Sequence, residues 1–225
     1  MKKMFLVAAA TIAATVSFSQ VRFGVQAIGN AGNVSVKYED AGNLKKSARI
    51  GFGAGVVAEI PLQNNFSLRP SLNFLQKKAE IEFPADEESG KTSTMTSSLN
   101  YLELPVNLVY SIPVNNMSVY FSAGPSLGYG ISGKMKYKGW QVSEEPHEVT
   151  PVEESTDAFK KEDKGGAGLK RFDLSANVNA GIQLNNGLYV NAGYLAGLSN
   201  LVESEGKYKN RGILLTVGFL LPSRK

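Results

Sequence analysis

The chain has 225 residues, 43% of them hydrophobic, with 23 Gly, 11 Phe, 9 Tyr and no Cys. That composition is too polar for a bundle of membrane helices, and without Cys there is neither a disulfide-stapled secreted domain nor a cysteine for lipid attachment. Met1 to Ser19 holds two of the 24 Lys and Arg, so the remainder carries 24 − 2 = 22 basic against 20 acidic residues, a net of +2. These charges are scattered rather than striped and no nucleic-acid motif accompanies them, so nucleic acid is not an expected partner.

Lys2 and Lys3, the apolar run Phe5 to Val16 and the small residues of Ser17-Phe18-Ser19 follow the three-part plan of a secretory signal peptide. Cleavage is expected after Ser19, leaving residues 20–225 as one β-barrel domain. From there the chain alternates. Val21 to Ile28 sets Phe23, Val25 and Ala27 against Arg22, Gly24 and Gln26, and Arg49 to Ile60 sets Ile50, Phe52, Ala54, Val56, Ala58 and Ile60 against Gly51, Gly53, Gly55 and Glu59. Phe66 to Phe83 opposes Phe66, Leu68, Leu72 and Phe74 to Ser67, Arg69, Ser71 and Asn73. Leu99 to Ile112 opposes Leu102, Leu104, Val106, Leu108 and Tyr110 to Tyr101, Glu103 and Asn107. Met117 to about Met135 puts Val119, Phe121, Ala123, Leu127 and Tyr129 on one face and serines and glycines on the other. Tyr137 to Gly168 reads as one long irregular segment.

Lys170 to Leu198 is the clearest hairpin. Phe172, Leu174, Ala176, Val178, Ala180, Ile182 and Leu184 alternate with Asp173, Ser175, Asn177, Asn179, Gly181 and Gln183, which is a strand's period of two and not a helix's. After Asn185-Asn186-Gly187 the alternation resumes, and Arg211 to Leu221 supplies an eighth strand. Connections alternate between short turns at 61–65, 113–116 and 185–187 and long loops at 29–48, 84–98, 137–169 and 199–210. Short turns at one end and long loops at the other, with an even strand count, predict an all-β, eight-stranded antiparallel up-and-down transmembrane β-barrel in the outer membrane. The polar faces then line the interior, and lipid and lipopolysaccharide surround the apolar ones.

The motifs Tyr101-Leu102-Glu103-Leu104-Pro105-Val106, Gly124-Pro125-Ser126-Leu127-Gly128-Tyr129-Gly130 and Arg171-Phe172-Asp173-Leu174, with the closing strand, resemble the outer-membrane β-barrel domain family often labelled PorT-like, of the OmpA/OmpX type. The resemblance covers about residues 21 to 221. It implies an eight-stranded outer-membrane barrel and brings no catalytic, cofactor or metal residues with it.

An eight-stranded lumen is only wide enough for side chains to fill. Parity places Arg22, Glu59, Arg69, Glu103 and Asp173 inside, beside glycines at 24, 51, 53, 55, 124, 128, 181, 193 and 218. Pairing Ile60 with Phe66 sets Glu59 against Ser67 and diagonal to Arg69. Such charges form either an ion pathway or a neutralised plug, and the narrow lumen favours the plug. Pro70, Pro105 and Pro125 interrupt strands in a ring that has no free edge; a turn centred between Val114 and Asn115 sets Leu104 opposite Pro125 and Pro105 opposite Gly124, where a bulge is expected. The segment with Glu144, Glu145, His147, Glu148, Glu153, Glu154 and Asp157 could hold Ca²⁺ or Mg²⁺ but lacks EF-hand spacing, so a solvated loop is expected, with Tyr137, Trp140 and Phe159 as anchors to the membrane surface or a partner. A lipid-modifying enzyme would need a nucleophile and an orienting acid fixed near His147, and the sequence fixes neither. The expected role is therefore non-enzymatic: envelope structure or contact with a protein partner through the external loops, with support of transport or secretion as the alternative.

Overall fold

The computed structural model describes residues 21–37, 44–86, 90–143, 148–202 and 206–222; the segment expected to be a signal peptide lies outside them. Among the described residues the strands are β1 (Arg22–Lys37), β2 (Lys45–Pro61), β3 (Phe66–Phe83), β4 (Ser93–Val114), β5 (Met117–Val142), β6 (Val149–Asp157), β7 (Phe172–Leu184), β8 (Leu188–Gly197) and β9 (Lys207–Leu220). Eight of them, all but β6, close an antiparallel ring, with β1 joined to both β2 and β9 and β5 joined to β4 and β7. This is the predicted up-and-down barrel. Met117 to Tyr129 of β5 pair with β7, while Lys134 to Val142 pair with β6, so β6 continues the wall beyond the end of β7.

Short turns close one end. Asn64 and Asn65 (φ +57° and +66°), Asn115 (φ +50°) and Gly187 (φ +96°) supply the left-handed backbone these tight connections need. The last admits nothing larger, because a Cβ on Gly187 would lie 2.0 Å from the Leu220 carbonyl oxygen.

Exposure settles which face points outward. Phe172 is 72% exposed and its neighbour Asp173 is 1% exposed; Ser175 and Asn177 are buried while Leu174 and Val178 are not. A soluble barrel would show the reverse. The outward apolar rows run from Phe66 to Phe74 on β3, from Val114 to Leu102 on β4 and from Met117 to Ile131 on β5. These are about the lengths a tilted strand needs to cross hydrocarbon. Outward aromatic pairs mark its two ends: Phe66 and Tyr110 (ring centroids 4.9 Å apart) near the short turns, Tyr129 and Phe172 (5.1 Å) at the other boundary.

Beyond that boundary the strands continue, and the chemistry of their faces exchanges. On β3 the outward positions become Gln76, Lys78 and Glu80, while the inward ones become Leu75, Ala79 and Ile81 around Lys77; on β1 the inward residues become Val34 and Val36. This upper zone has the inside of a water-soluble barrel. Val34, Val36, Ala79, Ile81, Leu99, Tyr101 and Tyr208 pack there with Ala158, Phe159, Leu169 and Leu201. Much of what reads as loop in the sequence is therefore strand: β1 runs to Lys37, β4 starts at Ser93, β5 reaches Val142, and residues 149–157 form β6.

Two expected registers shift by two residues. Val114 pairs with Met117, centring the turn between Asn115 and Asn116, so Leu104 faces Leu127 and Pro105 faces Ser126. Ile60 pairs with Leu68 and Pro61 with Ser67, which brings Arg69 rather than Ser67 opposite Glu59. The expected bulge is absent from the prolines. Pairing lapses beside Pro70 and Pro105 and resumes in the same register, and the β4–β5 irregularity lies at Asn100/Tyr101 instead.

Candidate functional site

The polar face of the membrane zone is gathered into two charged layers. In the layer nearer the short turns, Glu59 accepts hydrogen bonds from the guanidinium groups of Arg22 and Arg69, and the Ser67 hydroxyl donates to Glu59 Oε1 at 3.2 Å. Arg69 also donates to Gln183 Oε1 at 2.6 Å and lies over the rings of Tyr120 and Tyr189, 4.7 and 5.0 Å from their centroids. Glycine makes room for these rings: a Cβ on Gly218 would sit 2.3 Å from the Tyr189 hydroxyl oxygen. In the second layer Lys77 Nζ lies 2.5 Å from Glu103 Oε1 and 3.0 Å from Asp173 Oδ2. Asp173 also accepts from Asn210 Nδ2 (2.8 Å) and from the Ser199 hydroxyl (3.1 Å).

The two layers carry opposite excess. Arg22, Glu59 and Arg69 sum to +1, and Lys77, Glu103 and Asp173 to −1, so the six charges cancel. What remains open between the layers is a cavity of about 60 Å³ bounded by Gln26, Arg69, Asn73, Glu103 and Asn177. That volume holds a few waters and no solute.

Above the second layer, the segment linking β6 to β7 turns inward. Phe159 is buried edge-on to Tyr101 (85° between the ring planes, centroids 5.8 Å apart) and against Gly130, where a Cβ would be 2.3 Å from its ring. Arg171 lies over the same ring and donates to the Gly130 carbonyl at 2.6 Å. Asp157 Oδ1 accepts from the backbone N–H groups of Phe159 and Lys160, both at 2.9 Å. Over this floor opens a chamber of about 1100 Å³ lined by the upper wall.

Residues 13–203 match the family described as outer membrane protein beta-barrel domain. The chain belongs to that family. Among solved structures, this outer-membrane barrel is similar to Neisserial surface protein A, at 12% identity over 88% of this chain and 96% of that one (TM-score 0.41). It is similar also to Ail, the attachment invasion locus protein of Yersinia pestis, in complex with the heparin analogue sucrose octasulfate, at 15% identity over 89% and 99% (TM-score 0.38). The N-terminal β-barrel domain of Pseudomonas aeruginosa OprF matches at 11% identity over 88% and 97% (TM-score 0.29). No curated protein sequence matches the chain.

All five lumen charges expected from parity lie inside the outer-membrane barrel, joined as described above. Lys77 is the one missed, although it continues the inward row Ser67, Arg69, Ser71, Asn73 and Leu75. The acidic segment departs from expectation more widely. Glu153 is ion-paired to Lys136 and, at 3.2 Å, to Lys138, and Asp157 caps backbone N–H groups, so neither belongs to a free acidic loop. No group of three metal-ligating side chains occurs among the described residues, which do not include Glu144, Glu145 and His147. Of the expected surface anchors, Trp140 stays outside, donating to the Thr92 carbonyl at 3.2 Å beneath the ammonium of Lys91. Tyr137 donates to the Ser93 hydroxyl, and Phe159 is core.

Proposed function

We propose that this outer-membrane barrel is a non-enzymatic envelope protein. Its membrane zone is a sealed scaffold, and its work lies in the outer wall that the scaffold holds against lipopolysaccharide and protein partners. Export through a signal peptide cleaved after Ser19 belongs to the same reading. The observation that carries it is the exchange of faces at the membrane boundary. Above the outward Phe74, Ile131 and Ile213, with Gln76 and Ser132 between on β3 and β5, come the outward cations Lys78, Lys134, Arg211 and Lys209. Cations at that level are placed to meet the phosphates of the outer leaflet, whereas the hydrocarbon below admits only the apolar rows. The buried carboxylates of Glu59, Glu103 and Asp173 are each held by a buried cation, an arrangement suited to structure rather than proton transfer.

Cell fractionation tests this reading. The protein is expected in the outer-membrane fraction, with Gln20 at its N-terminus and gel migration that changes on heating. Replacing Lys134, Lys209 and Arg211 together by Ala is expected to weaken co-migration with lipopolysaccharide while heat modifiability is kept. Recovery from the soluble periplasm would overturn the proposal, and lipid turnover abolished by His147→Ala would overturn its non-enzymatic part.

A further inference from the structure

The inner face of the upper zone lines an open chamber far larger than the 60 Å³ cavity in the membrane zone below it. Its wall is largely apolar, with Val36, Ile81, Phe83, Met95, Met135 and Leu169 facing its 1100 Å³ volume. That volume lies slightly above the range of about 300–1,000 Å³ usual for sites that take small organic ligands. The charge on its lining has one sign. Asp86, Glu154 and Glu162 line the space, and no described lining residue is basic.

Strand geometry produces this asymmetry. Along β6, Glu153 points outward to Lys136 and Lys138, whereas Glu154 and Thr156 point inward beside Tyr137 and Met135. Cations and anions on the outside of the β5–β6 hairpin thus neutralise each other. The inward carboxylate of Glu154 has no salt-bridge partner among the described residues, and neither has Glu162 on the single 3-10 turn Glu162–Lys164 that follows. Both residues are exposed at the open chamber, so solvent moderates the field of their carboxylates and added salt weakens it further.

We propose that the chamber is a binding site for amphipathic organic cations. The apolar body of the ligand lies against Ile81, Met95, Met135 and Leu169, and its ammonium group faces Glu154 and Glu162. An anionic amphiphile of the same shape gains the same apolar contacts and meets the repulsion of both carboxylates.

The test uses the full mature chain in phosphatidylcholine nanodiscs at low ionic strength. Calorimetric titrations with 4-phenylbutylamine and 4-phenylbutyrate, which share one apolar body and differ in charge, are corrected with empty nanodiscs. The amine is expected to bind at least about tenfold more tightly than the acid, and added salt is expected to narrow the gap. The double variant Glu154→Gln, Glu162→Gln is expected to lose most of that preference, and the pair Thr156→Trp, Met135→Trp, which places two indoles on adjacent wall positions of the chamber, to weaken both compounds together. Heat-modifiable migration verifies folding of each variant, and the comparison of the two compounds on the unmodified chain decides even where a variant misfolds. Equal affinities, absence of amine binding, a preference that survives the double carboxylate variant, or affinities for both compounds unchanged by the two indoles would overturn the proposal.

Discussion

Glu59 shows what a single side chain carries in a lumen of this width. Among the described residues it is the only acid shared by Arg22 and Arg69, and Arg69 is itself buried under two tyrosine rings. Glu59→Ala leaves Arg69 with Gln183 and the ring faces but without a counter-charge, at an expected loss of about 3–5 kcal/mol. The urea midpoint for loss of the heat-modifiable form in detergent should fall accordingly; an unchanged midpoint would mean that the cluster adds nothing to stability. Lys77 invites the complementary experiment. Lys77→Met strands Glu103 and Asp173 as two neighbouring buried acids, whereas Lys77→Met with Glu103→Gln and Asp173→Asn removes all three charges at nearly constant volume. The triple variant should therefore be more stable than the single one, because an unpaired buried charge costs more than its absence. A triple variant less stable than Lys77→Met alone would refute that account of the layer.

At the scale of the element, the β5–β6 hairpin stands beyond the end of β7, held by its own ladder and by Glu153 on its outer face. Hydrogen bonds from Lys136 and Lys138 hold the Glu153 carboxyl below its ordinary value of 4.5. Because the folded value is lowered, this contribution is fully present above 4.5 and is lost as pH falls through the lowered value. Amide protection in Lys134 to Val142, corrected for intrinsic exchange, should be flat from about pH 7 to about pH 5 and fall at lower pH, while Glu153→Gln should remove the step. A wild-type profile without the step, or a step that survives Glu153→Gln, would refute the link to Glu153. The hairpin is also where the sequence was least legible. Within the membrane, inward Asp173, Ser175 and Asn177 against outward Phe172, Leu174 and Val178 make each strand recognisable at once. Above it the inward residues turn apolar, as at Val34, Ile81 and Leu99, and the outward ones polar, so an alternation followed in one phase ends at the boundary although the strand does not. The same change of phase hid Lys77, which lies between Leu75 and Ala79. The two turn registers were missed for another reason: whether Asn64-Asn65 or Asn115-Asn116 centres its turn depends on left-handed backbone that parity does not encode. The chamber was illegible altogether, since its wall comes from elements as distant in sequence as Val36 and Val202.

For the whole molecule, the two lumen layers act as seals in series. The inner one joins β1, β2, β3 and β7 through Arg22, Glu59, Arg69 and Gln183, and the outer one joins β3, β4, β7 and β9 through Lys77, Glu103, Asp173 and Asn210. Each therefore ties walls of the ring together across the lumen, and the cavity between them is only about 60 Å³. A water-filled path needs both seals open, because resistance in series is set by the narrower. In a planar bilayer the purified barrel should show no steady conductance. Emptying the inner layer with Glu59→Ala, Arg69→Ala and Tyr189→Ala should also leave it closed, since Lys77 and its partners still span the lumen above. Adding Lys77→Ala and Glu103→Ala should open steps of current, provided that heat-modifiable migration shows the ring intact. Conductance in the unmodified protein would refute the sealed scaffold outright. Conductance in the inner-layer variant alone would show that Lys77, Glu103 and Asp173 hold the wall together without closing it.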